Sequence, residues 1–183
     1  MRHNPLPTEY VEALDSNETF CLIIMGKDPY PKEAVGIPFC KPSWDSMCDK
    51  RISGLFVLQS IGLDIKKARN GFKVPADYFV YLAKEKGIAF LNLSYHYLND
   101  SVRKKHYVQL QSAEKVNKKY LFRSKATVLC GEAKKIIWYE GDYPSLHYAV
   151  HPSRQCNIHK NQKVRDSWSE WWSDGALKKK FQL

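Results

Sequence analysis

An alternation of two kinds of segment most narrows what this chain can fold into. Short apolar runs rich in β-formers occur at Phe20–Met25, Ile88–Leu93, Thr127–Cys130 and His147–Val150, each short enough for a buried strand. Between them lie longer segments with helical spacing: Thr8–Leu14, Trp44–Gln59, Pro75–Lys86, Val108–Phe122, Glu132–Tyr139 and Gln162–Trp172. Strands alternating with helices predict a parallel sheet covered on both faces. The expected fold is therefore α/β: a three-layer α/β/α sandwich around a central, mainly parallel four-stranded sheet. The 183 residues contain no repeat, low-complexity tract or linker, so a single domain over 1–183 is expected.

In sheets of this kind, function collects at the carboxyl ends of the strands. The first run leads into Gly26-Lys27-Asp28-Pro29-Tyr30, and the second ends in Leu91-Asn92-Leu93-Ser94. Gly131-Glu132 follows the third and His151-Pro152-Ser153 the fourth. One acid, one amide and one imidazole are thereby brought to a single rim. Twenty-nine Lys and Arg against 19 Asp and Glu give a formal charge of +10, which favours a polyanionic partner such as nucleic acid. No apolar run approaches the roughly 20 residues of a membrane span, and Met1–Tyr10 is polar, unlike a signal peptide. A soluble, cytoplasmic monomer with no membrane association is expected, nucleoid-associated in a bacterium. The five cysteines are odd in number and none has CxxC spacing, which argues against a disulfide framework or a zinc ribbon, and the spacing does not suggest an iron–sulfur ligand set.

These motifs resemble those of the uracil-DNA glycosylase superfamily, in the same order and over most of the chain. Gly26-Lys27-Asp28-Pro29-Tyr30 is similar to the water-activating GQDPY motif. Gly36-Ile37-Pro38-Phe39 resembles the segment whose Phe stacks on a flipped base. Lys41-Pro42-Ser43 resembles the proline-rich loop that grips the strand, and Ile88–Asn92 the strand carrying the base-reading Asn. Val128–Gly131 resembles the penultimate strand, and His151-Pro152-Ser153 the start of the intercalation loop. The resemblance implies a monofunctional glycosylase that flips a pyrimidine out of DNA and hydrolyses its glycosidic bond, with no metal or organic cofactor. Such cleavage produces an oxocarbenium-like sugar and an anionic base, and both charges need stabilising in a dry pocket. On this reading Asp28 orients water and offsets charge on the sugar, while His151 donates to the departing base as neutral imidazole. Asn92 reads the Watson–Crick edge, Phe39 stacks on the base, and Tyr30 packs at its 5-position. Ser43 and Ser153 hold phosphates.

Each residue has a plainer alternative. Asp-Pro is commonly a turn, Asn92 can cap one, Phe39 and Tyr30 can be core, and Ser43 can cap the helix beginning at Trp44. The chain also departs from the family pattern. Lys27 replaces Gln, Pro31 replaces His, and Arg154-Gln155 stands where Pro-Leu is expected, so Arg154 or Gln155 is the candidate to fill the vacated stack. These changes surround the base pocket. Uracil is the default substrate, in base excision repair. The alternative is a modified pyrimidine such as glucosylated hydroxymethylcytosine in phage DNA, excised as antiphage defence, with Lys27 contacting the sugar. A non-catalytic DNA-binding module is a further alternative. The absence of GxSxG, P-loop and GxGxxG motifs argues against an unrelated hydrolase or nucleotide-binding enzyme.

Overall fold

The computed structural model describes residues 2–30, 33–97, 117–131, 133, 145–153 and 161–183. In chain order the elements are β1 (Arg2–His3), α1 (Thr8–Asp15), β2 (Leu22–Gly26), α2 (Trp44–Met47), α3 (Ser53–Ser60), α4 (Ile65–Gly71) and α5 (Pro75–Lys86). Then follow β3 (Ile88–Asn92), β4 (His96–Tyr97), β5 (Thr127–Cys130), β6 (Leu146–Ala149), α6 (Gln162–Trp172) and α7 (Ala176–Phe181). Residues 117–121 are also helical.

The central sheet has the order β3-β2-β5-β6 and all its strands run parallel. Every residue of β2, β3 and β5 is buried, which requires cover on both faces. Two groups of helices provide it. Helix α1 packs on α5, which packs on β3, while α3 packs on α6 and α7, and α6 on β6. This is the three-layer α/β/α arrangement expected from the sequence. A two-stranded antiparallel sheet, β1 with β4, lies apart from it and is not foreshadowed by the apolar pattern.

The register levels the strand ends. Gly26 stands opposite Asn92, Met25 opposite both Leu91 and Leu129, and Cys130 opposite Ala149. From β2 the chain goes outward to β3, then crosses back to β5 on the other side of β2. The β2–β5 crevice is therefore the switch point of the sheet, where ligands bind in folds of this kind.

Strand β3 lies at the sheet edge, and its main chain at Phe90 is capped rather than left open. The hydroxyl of buried Tyr10, from α1, accepts from the Phe90 N–H at 2.8 Å and donates to the Phe90 carbonyl at 3.2 Å. The surrounding burial pushes this phenol far above its ordinary range.

Several boundaries differ from expectation. The helix expected over Trp44–Gln59 is two helices. Between them the Asp49 carboxylate accepts from the Arg51 N–H at 2.9 Å, a local bond that competes with helical pairing, and Ile52 is extended. Helices α4 and α7 were not expected, because Ile65–Gly71 and Ala176–Phe181 are too polar to show an apolar stripe. Of the helix expected over Val108–Phe122 only 117–122 is described, and Glu132–Tyr139 lies outside the described residues apart from Ala133. Among the described residues no helix is long and apolar enough to cross a membrane.

Candidate active site

A cavity of about 270 Å³ opens beyond the carboxyl ends of the strands. Lys27, Asp28, Tyr30, Phe39, Asn92, His151 and Ser153 all line it. Seven residues singled out in the sequence thus meet in one place, contributed by the end of β3 and by the segments that follow β2 and β6.

The strand ends are tied together beneath it. Gly26 and Lys27 carbonyls accept from the N–H groups of Leu93 and Ser94 at 3.0 and 2.9 Å, prolonging the β2–β3 pairing past both strands. Just beyond, the Lys27 ammonium lies 3.7 Å from an Asp28 carboxylate oxygen. Tyr30 is held from both sides. Its hydroxyl is 2.7 Å from Ser53 Oγ and accepts from the Gly54 N–H at 3.3 Å, while the ammonium of buried Lys41 sits 4.4 Å from its ring centre. Burial raises the Tyr30 pKa, so the phenol stays neutral at physiological pH.

Phe39 has φ +64°, a left-handed conformation costly for a bulky side chain and found preferentially at functional sites. Two glycines permit it. A Cβ on Gly54 would lie 1.9 Å from the Phe39 carbonyl oxygen, so α3 can approach this loop only with glycine there. A Cβ on Gly26 would lie 2.6 Å from Asn92 Oδ1 and 3.2 Å from Phe39 Cζ. Gly26 therefore leaves the space in which the amide and the ring meet over the end of β2. The ring also packs edge-on against Phe90, at 6.4 Å between centres.

Asn92 is buried, and its position is set through the backbone. Its carbonyl accepts from Asn117 Nδ2 at 2.8 Å, and Asn117 Oδ1 accepts from the Tyr95 hydroxyl at 2.7 Å. Asn117 is fully buried, and no local pattern announces this supporting pair. His151 is fixed in a comparable way. Its Nδ1 accepts the Ser153 N–H at 3.1 Å, so the neutral ring carries its proton on Nε2. The indoles of Trp172 and Trp168 donate to the Val150 and Pro152 carbonyls at 2.8 and 2.9 Å, clamping the backbone on either side of His151. Gly131, with φ +56°, lets the imidazole lean across the end of β5, since a Cβ there would stand 3.1 Å from His151 Cδ2.

Ser43 does not line the cavity. It is the exposed N-cap of α2, accepting from the Ser46 N–H at 3.1 Å. Arg154 and Gln155 lie outside the described residues. Four cavity residues lie outside the motifs seen in the sequence: Asn4, Ala34, Arg51 and Ser53. Ser53 is hidden in an apolar helix start, and Arg51 reads as one more surface charge. Asn4 sits in a polar stretch with no periodicity. Cys40 and Cys130 are buried, and burial pushes the Cys40 thiol up to about 12. No cluster able to hold a metal ion occurs among the described residues.

No protein-family model matches the chain, and no curated protein does. Solved structures are similar to it, two of them from one organism. The wild-type UNG of Nitratifractor salsuginis shares 14% identity at a TM-score of 0.46, covering 88% of this chain and 83% of its own. The Y81G mutant of UNG from the same organism shares 15% identity at a TM-score of 0.44, covering 82% of this chain and 72% of its own.

Proposed function

We propose that this protein is a monofunctional DNA glycosylase that flips a pyrimidine, uracil by default, into the cavity and hydrolyses its N-glycosidic bond. The observation that carries this reading is the convergence of Asp28, Asn92, Phe39 and an Nε2-protonated His151 on one cavity beyond the carboxyl ends of the strands. Acid, amide, aromatic face and imidazole donor suit the orienting of water, the reading and stacking of a flipped base, and the stabilising of its departing charge.

The flipped base enters between the Phe39 ring and the strand ends, with its Watson–Crick edge on Asn92. The C1′–N1 bond breaks and its electron pair departs on the base. His151 Nε2–H donates to the base oxygen where this charge gathers, as a donor placed for developing charge. Asp28 faces the cationic sugar and orients water, whose oxygen bonds to C1′ as a water proton is released. The products are a free base and an abasic site. Lys27, beside Asp28, contributes positive charge where the phosphate backbone approaches, and Ser153 holds a phosphate. Ser43, on the exposed start of α2, is a further phosphate contact.

A base-release assay tests this on duplexes carrying uracil, 5-hydroxymethyluracil, cytosine, hydroxymethylcytosine or glucosylated hydroxymethylcytosine. Uracil release is expected, with Asp28→Asn losing about 10²–10⁴-fold while still binding DNA. Release of only the glucosylated base would assign the defence role instead. DNA binding without release of any base would leave a binding module.

A further inference from the structure

We infer that Asn4 is a second base-reading residue, whose side-chain N–H donates to the exocyclic oxygen at the 4-position of the flipped base and so selects 4-oxo over 4-amino pyrimidines. Asn4 takes this role if the cavity holds a flipped base, as proposed above.

Four observations support it. First, Asn4 lines the cavity, and its Nδ2 is shut off from water with no hydrogen-bond partner among the described residues. A donor left in that state costs stability, and native structures keep few of them without a use. A ligand acceptor would satisfy it, and rotation of the amide about its soft terminal torsion turns the N–H toward one.

Second, the backbone around Asn4 is fixed. Residues Arg2 and His3 pair with Tyr97 and His96, and the Asn4 N–H donates to the Tyr95 carbonyl at 2.8 Å. The next residues press on the loop that presents Phe39. A Cβ on Gly36 would lie 2.5 Å from the Pro5 carbonyl oxygen and 2.8 Å from Pro7 Cδ. Asn4 is thus held between the Asn92 strand and the Phe39 loop.

Third, the rim has an order. Asn4 hangs beyond β3, through Tyr95, while His151 follows β6 at the opposite edge of the sheet. Asn92 and Asp28 lie between them. A pyrimidine with its glycosidic side toward Asp28 and His151 therefore turns its 4-position toward Asn4.

Fourth, the donor type discriminates. A carbonyl oxygen at C4 has two lone pairs and can accept from Asn4 as well as from Asn92. A 4-amino group would set donor against donor. At Asn4 the unsatisfied atom is the donor, so a base oxygen rather than a base amino group completes it.

The experiment compares wild type, Asn4→Asp and Asn4→Ala on duplexes containing deoxyuridine, 4-thiodeoxyuridine or deoxycytidine. Sulfur is a poor acceptor, so wild type should lose rate on the thio base with no change to the protein. Asn4→Asp should lower kcat/KM on uracil about 10–100-fold, suffer a smaller loss from sulfur than wild type does, and raise the cytosine-to-uracil ratio. Asn4→Ala should lower uracil release without raising that ratio. Uracil release by both variants at the wild-type rate, or indifference of wild type to sulfur, would overturn the role of Asn4 and leave the glycosylase reading standing. If wild type releases no base from any duplex, the glycosylase reading falls, and titration with free uracil decides about Asn4. A shift of its side-chain amide resonance, with affinity lost in Asn4→Asp, would support base reading. An unmoved resonance would overturn it.

Discussion

A single hydrogen bond decides what His151 can do. With Nδ1 accepting from Ser153, the ring's available proton is on Nε2, so the neutral side chain is a donor. His151→Ala should slow single-turnover base release by about 10²–10³-fold, the loss typical of one donor to developing charge. Because the residue is exposed, the fold should be retained, with stability lowered only by what the Ser153 N–H loses when its partner goes. An unchanged rate would remove His151 from the chemistry. Gly26 makes a sharper test of the pocket. In Gly26→Ala the new methyl carbon would meet the Asn92 amide and the Phe39 ring, and one of them must move. Misplacement of a positioning group by about 1 Å costs on the order of 10²-fold, so kcat/KM should fall by that much with the circular dichroism spectrum retained. Wild-type turnover in this variant would mean that the amide and ring are not used where they stand. Asp28, Asn92 and His151 are legible because each lies at or just past the carboxyl end of an apolar run. The φ of Phe39 and the tautomer of His151 were not legible, since both depend on neighbours distant in sequence.

At the scale of elements, the edge of β3 is the exposed weakness of the sheet, and α1 covers it through one hydroxyl. Tyr10→Phe would leave the Phe90 N–H and carbonyl without their partner in a site closed to water. The expected loss is about 1–3 kcal/mol of unfolding free energy in a denaturant titration, with full cooperativity kept. A loss near zero would mean that the two backbone groups find another partner. Strands β2, β3, β5 and β6 and helix α5 were readable because burial and periodicity are local properties. Helix α5 also carries explicit signals, Pro75 in its first turn and Gly87 in the left-handed conformation just past its end. The break between α2 and α3 was not readable, because the bond from Asp49 to the Arg51 N–H leaves the helical spacing of the apolar residues intact across it. The pairing of β1 with β4 was equally silent, since two-residue strands have no period to detect.

For the molecule as a whole, the +10 charge is the property most open to measurement. A chain that grips DNA through its phosphates releases counterions. The logarithm of the association constant should therefore fall linearly with the logarithm of salt, by about 0.9 for each phosphate neutralised. Filter binding or fluorescence anisotropy between about 50 and 200 mM salt measures the slope. A flat dependence would place the positive charge away from the nucleic acid. The α/β class, the parallel sheet and the rim holding Asp28, Asn92 and His151 were all written in the order of apolar and helical segments. Near neighbours alone determine which residues a strand or helix buries, so a linear reading suffices for these. The walls of the cavity were not written there. Asn4, Arg51 and Ser53 arrive from a terminal arm and a helix start, and Asn117 and the Trp168–Trp172 pair support the site from behind. Their places follow from packing between segments far apart in the chain, and no local pattern encodes such contacts.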